Sequence, residues 1–149
     1  MNRKQRRASL SPKSFGQGNS SSPNRGMFNQ AVQHFKAGRL TEAEQLFKTF
    51  LTTAPRHADS LDYLGNIAYQ SGRYDSAAEF FGKAIDIDND NPHYRSNLSG
   101  VLMAMGRFDE AIAEFTQALK IDPVLEDLRQ NLNAALELKQ QEAAGKRMP

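Results

Sequence analysis

The stretch whose residue types come closest to ion chemistry is Asp86-Ile87-Asp88-Asn89-Asp90-Asn91, in which carboxylates and amides alternate as they do at the start of a calcium-binding loop. Such a loop needs a glycine at its sixth position for the sharp turn and a bidentate glutamate at its twelfth. Those positions are Asn91 and Asn97 here, so the stretch is expected to be a turn between helices. His34, His57 and His93 are far apart and show no metal-ligand spacing, and His34 is expected to pack in a core row of its helix. There is no cysteine, hence no thiolate nucleophile, disulfide or thiolate zinc site. No glycine-rich phosphate loop or nucleophile elbow is present. No paired-carboxylate pocket is present either, so the expectation is a protein that is not an enzyme, with no cofactor and no metal. What remains are groups suited to holding: the amides Asn29, Asn66, Asn97 and Asn131 and the rings Phe28, Phe35, Tyr63 and Tyr69. A side-chain amide donates and accepts at once, so a row of them can hold peptide main chain without reading sequence, and aromatic rings can anchor a bound segment.

Whether those groups share a surface depends on the elements carrying them, and the chain writes its elements three times. Gly38, Gly72 and Gly106 recur at a period of 34, each followed by Arg39, Arg73 or Arg107 and then by Leu40, Tyr74 or Phe108. The same register aligns Ala43, Ala77 and Ala111, then Phe47, Phe81 and Phe115, and the small residues Ala31, Gly65 and Ser99. A further small-residue row, Ala84 and Ala118, is interrupted by Phe50, and Pro55 matches Pro123 with Asn89 between them. Glycine ends a helix well because it enters the left-handed region without a Cβ clash, so each of these glycines should close the first helix of a pair. Thr41, Asp75 and Asp109 are placed to cap the second helix, Thr41 with Glu44 in a capping box. Alanine and phenylalanine four apart lie on one helix face, where the alanine admits a neighbouring helix beside the bulky ring.

The small residue, Gly, Ala, Phe and Pro at this spacing resemble the tetratricopeptide repeat (TPR) family, and the resemblance covers residues 24–125 and the helix after them. It implies an all-α fold, a right-handed α-α superhelix of helix-turn-helix repeats spanning 24–57, 58–91 and 92–125. A helix over 126–141 then caps the array, its outer side made polar by Glu126, Arg129, Glu137, Lys139 and Gln140, with a flexible tail over 142–149. Where the family usually has tryptophan stand Met27, Leu61 and Arg95, and Arg95 suggests a looser joint.

The resemblance also implies a function, protein-protein interaction, with the first helix of each pair lining a concave face where a partner segment binds. Phe28, Asn29, Phe35, Tyr63, Asn66, Tyr69, Asn97 and Asn131 are the groove candidates, with Val32, Lys36, Asp59, Asp62, Gln70, His93, Ser96, Gly100 and Met103 around them. Members that grip acidic chaperone tails use a clamp of lysines, an arginine and asparagines. Its positions here are Phe28, Val32, Tyr63, His93 and Asn97, of which only the last could serve, so such a tail is not the expected partner. Asn29, Asn97 and Asn131, broken by Tyr63, are instead similar to the asparagine ladder with which the TPR superhelix of O-GlcNAc transferases holds peptide backbone.

Charge is split along the chain. Residues 1–26 carry six basic side chains and no acidic one, whereas residues 27–149 carry 13 basic and 17 acidic ones. The opening MNRKQRRAS is similar to the start of bacterial TPR proteins, some of which continue into methyltransferase or glycosyltransferase domains; no such activity is expected of residues 1–149. Residues 1–23 are expected to be a disordered basic arm, because Ser, Gly and Pro supply little apolar surface to offset ordering. Arg6-Arg7-Ala8-Ser9 resembles a basophilic kinase site, and through this arm the chain has a route to nucleic acid or an anionic membrane. Self-association by stacking of exposed solenoid ends is the other alternative to partner binding. No apolar run approaches the roughly 18 residues of a membrane span, and no secretory h-region follows the early basic cluster. Leu10 and Phe15 make a poor transit-peptide face, so a cytoplasmic location is expected.

Overall fold

The computed structural model describes residues 23–147. They form α1 (Pro23–Lys36), α2 (Leu40–Thr53), α3 (Ala58–Gln70), α4 (Tyr74–Ile87), α5 (Pro92–Ala104), α6 (Phe108–Ile121) and α7 (Glu126–Lys146), with no strand among the described residues. Each helix packs on the one before it and the one after it, giving an all-α superhelix of helix pairs. The expected basic arm lies outside the described residues, except that Pro23 is already the first residue of α1.

The 34-residue register is visible in the backbone. Gly38, Gly72 and Gly106 have φ of 77°, 74° and 73°, and no other described residue has a positive φ. Each closes the same pair of hydrogen bonds. Arg39 N–H donates to the His34 carbonyl (2.9 Å) and Gly38 N–H to that of Phe35 (3.0 Å). Arg73 and Gly72 do the same toward Ala68 and Tyr69, and Arg107 and Gly106 toward Leu102 and Met103. That is a Schellman end, which satisfies carbonyls a helix terminus leaves open.

Close helix approach then follows from the small-residue rows. Ala31, Ala43, Ala68, Ala77, Ala84, Ala111 and Ala118 are fully buried, as is Ser99, whose hydroxyl donates to the Arg95 carbonyl at 2.8 Å. Gly65 shows why the row must be small: a Cβ there would sit 2.6 Å from the Phe81 ring. Phe47, Phe81 and Phe115 are each at most 2% exposed, one per repeat. Phe50, which interrupts the other small row, is buried against the rings of Phe28 and His57, at 5.6 and 5.0 Å.

Several expectations need correcting. Thr41, Asp75 and Asp109 do not cap. The capping positions are Arg39, Arg73 and Arg107, without a side-chain cap bond, because the glycine turn leaves only the arginine before the next helix begins. Glu44 is not engaged in a capping box; it takes both guanidinium nitrogens of Arg73 at 3.0 Å, tying α2 to the start of α4. Arg95 does not loosen its joint, since it bonds Glu114 of α6 and Asn89 of the preceding turn, both at 2.8 Å. His34 is half-buried rather than a core residue, and its Nδ1 accepts from Arg39 Nε at 2.7 Å. The last helix runs past residue 141 to Lys146, through the stretch expected to be a tail, with Lys146 and Glu142 paired at 3.1 Å one turn apart. Asp88, from the calcium-like stretch, is the C-cap of α4 and accepts from Asp90 N–H at 3.2 Å, which makes the segment an inter-repeat turn.

Candidate functional site: the concave groove

α1, α3, α5 and α7 are the equivalent helices of the array, and four of the eight candidate residues converge on one place along them. Asn66 and Tyr69 of α3, Asn97 of α5 and Asn131 of α7, with Ser96 and Gly100, line a hollow of about 250 Å³ floored by Phe81 and Val101. Gly100 keeps the floor low: a Cβ there would meet nothing within 4 Å, so that space is open. Tyr69 is 41% exposed at the rim, its ring 5.6 Å from that of Tyr74.

The hollow adjoins a polar cross-link built from Asp59, Asp62, Asn66 and Asn97, all expected on this face, and from Tyr94, which was not. Asn97 Nδ2 donates to Asp62 Oδ1 at 2.7 Å, and Asn66 Nδ2 donates to the Asp62 carbonyl at 2.9 Å and to Oδ2 at 3.3 Å. One turn earlier, the Tyr94 hydroxyl donates to Asp59 Oδ1 at 2.5 Å. Both inter-helix pairs are 35 residues apart, one more than the period, which is the signal by which they could have been found. Among the described residues no ion pair involves Asp59 or Asp62. Burial pushes the Asp62 carboxyl above the usual range, the Asn97 hydrogen bond opposes this, and the Asp59 charge adds to it. Burial and the Asp59 hydrogen bond raise the Tyr94 phenol as well.

The remaining candidates lie elsewhere. Tyr63 stacks on Phe47 (centroids 4.9 Å, planes 10° apart) and meets Phe35 at 5.1 Å and Phe28 at 6.1 Å, while Phe28 also meets His57 at 4.8 Å. Phe28, Phe35 and Tyr63 thus pack the joint between the first two repeats, with Val32 in the same cluster. Asn29 is exposed on α1 and does not line the hollow. Asn97 and Asn131 of the expected ladder thus share the hollow with Asn66, which stands one turn out of their register, while Asn29 stands apart on α1.

The tetratricopeptide repeat profiles match residues 28–92 and 68–136, and the chain belongs to that family, whose members are protein-interaction modules. Comparison of the sequence with curated proteins finds no match. Among solved structures, a Thermobaculum terrenum O-GlcNAc transferase mutant is similar over 76% of this chain at 26% identity and TM-score 0.70, and the chain spans only 22% of that protein's length. The Sgt2 TPR domain from Aspergillus fumigatus shares the fold at TM-score 0.78 and 15% identity, with 87% of each chain covered. So does the Yersinia enterocolitica type III secretion chaperone SycD, in complex with a peptide of the translocator YopD, at TM-score 0.73 and 19% identity over 83% of this chain and 98% of that one. No helix among the described residues is long and apolar enough to cross a membrane.

Proposed function

We propose that the chain is a non-catalytic adaptor that holds an extended segment of a partner protein in the groove of α3, α5 and α7. The observation that carries this reading is the convergence of Asn66, Asn97 and Asn131 beside the exposed ring of Tyr69. Amides in a row match the alternating donors and acceptors of peptide main chain, and a tyrosine at the rim supplies apolar contact with a polar tip. The peptide-bound SycD structure, similar in fold, is compatible with that use. An acidic chaperone tail suits the groove poorly, because Phe28, Val32 and Tyr63 are committed to packing and Asp62 stands beside Asn97. The test is selection of binders from a displayed peptide library on the full chain. Binding of the selected peptides is then measured to an Asn97→Ala/Tyr69→Ala variant and to a control at exposed Lys83 of α4, Lys83→Ala. Loss of at least tenfold in affinity for the groove variant alone is expected; equal binding to all three overturns the reading.

A further inference from the structure

A side-chain amide can turn either its nitrogen or its oxygen to a ligand, and the partner it already has decides which. Asp62, on α3, decides this for two amides of the groove. Asn97 Nδ2 donates to Asp62 Oδ1 at 2.7 Å, while Asn66 Nδ2 donates to the Asp62 carbonyl at 2.9 Å and to Oδ2 at 3.3 Å. Both carboxyl oxygens accept, as those of an ionised carboxylate do, and an amide oxygen turned toward them would set acceptor against acceptor. Burial disfavours the charged form of Asp62, and so does Asp59 one turn earlier, whereas the Asn97 hydrogen bond and His93 on α5 favour it.

The consequence lies on the other side of the amides. Asn66 has its nitrogen committed to two acceptors and keeps only its oxygen, whereas Asn97 keeps its oxygen and one N–H. Neither oxygen accepts a hydrogen bond among the described residues. The only buried side-chain polar atom there without a partner is Arg95 Nε, so both amide oxygens reach solvent. Asn131, the third amide of the hollow, makes no side-chain hydrogen bond among the described residues and offers both its ends. Tyr69 stands three residues after Asn66 on the same helix face, so a side chain lodged on its ring sets the register of main chain passing Asn66.

We propose that Asp62 is a positioning residue, which holds the nitrogens of Asn66 and Asn97 so that the groove meets its partner at Asn66 with an acceptor alone. The segment bound there gives a main-chain N–H to Asn66 Oδ1, and proline, which has none, is rejected at the residue beside Tyr69. This rests on the partner-binding reading and names what the bound segment must carry.

The probes are the peptides selected on the full chain, resynthesised with one main-chain amide at a time replaced by an ester, which removes the N–H and keeps every side chain. One ester position should cost at least fivefold in affinity for the natural chain and less than twofold for Asn66→Ala, the mark of a coupled pair. The same ester should keep its full cost against Asn131→Ala, and proline at that position should cost at least as much. In the free chain, NMR should show the side-chain amide of Asn97 exchanging with solvent at least fivefold more slowly than that of Asn131, and Asp62→Ala should remove the difference.

An ester scan with no position whose cost depends on Asn66, or one that depends equally on Asn131, would overturn the inference. So would exchange at Asn97 as fast as at Asn131, or a slow exchange that persists in Asp62→Ala. Those results leave peptide binding itself in place, whereas a selection that yields no binder overturns both readings, so the two failures are distinguishable.

Discussion

At Gly65 the absence of one carbon decides how close two helices come. A methyl group placed there would lie 2.6 to 2.8 Å from three atoms of the Phe81 ring, which is itself 1% exposed and cannot retreat into solvent. Gly65→Ala should therefore destabilise by about 1–3 kcal/mol through overpacking. Phe81→Ala should cost about 3–5 through the cavity it leaves, and the double variant should cost less than the sum, because the two residues occupy one space. Urea denaturation of the three variants checks this, and additive losses would show that the ring and the glycine act separately. Asp62 gives the second residue-scale prediction. Its carboxyl is raised in the fold, so ionisation opposes folding: this contribution to stability is fully present below the usual carboxylate pKa of about 4 and is lost as pH rises through the folded value. Asp62→Asn should consequently be more stable than the natural chain near pH 7 and equal to it near pH 3, in melts followed by circular dichroism.

At the scale of the element, the helix pairs and their turns were legible because glycine, alanine and phenylalanine do the same physical job at each recurrence. The exact start of α2, α4 and α6 was not, since it depends on how the glycine turn closes through the arginine N–H rather than on which capping residue stands nearby. Arg95 was misread because its partner, Glu114, lies on the facing helix, where a one-dimensional register shows only a missing aromatic. The end of α7 escaped notice because Gln140, Gln141, Glu142, Ala143, Ala144 and Lys146 carry no apolar period; helix propensity and the Glu142–Lys146 pair are what extend it there. Its inner side covers the third repeat: Leu128 and Ala135 are buried against the cluster of Leu102, Ala111, Phe115 and Ala118. Leu128→Ala should cost about 2–5 kcal/mol. Hydrogen exchange should place the lost protection in α5–α7 and leave α1–α2 unchanged, because each repeat contacts only its neighbours.

Over the whole molecule, the groove was half legible. The register assigned Asn66, Tyr69, Asn97 and Asn131 to equivalent helices, and the structure brings those four to one hollow. It could not say that Phe28, Phe35 and Tyr63 would turn into the joint, because ring orientation is settled by Phe47, Phe50 and His57 on neighbouring elements. Asn97→Ala/Tyr69→Ala should leave helicity unchanged, since Tyr69 is exposed and Asn97 makes one side-chain bond, to half-buried Asp62, while peptide affinity falls at least tenfold. A lowered melting temperature with unchanged affinity would assign those side chains to the fold instead.

The three glycines leave their helices at φ values within a few degrees of one another and hand the chain on through the same two hydrogen bonds. One exit therefore serves as well as another. A stretch of 34 residues copied or excised between equivalent glycines rejoins two turns of the same shape, so the array can grow or shrink by recombination in whole quanta. Each added quantum brings one more lane of groove, and affinity for a longer segment becomes a matter of counting units rather than of inventing new contacts.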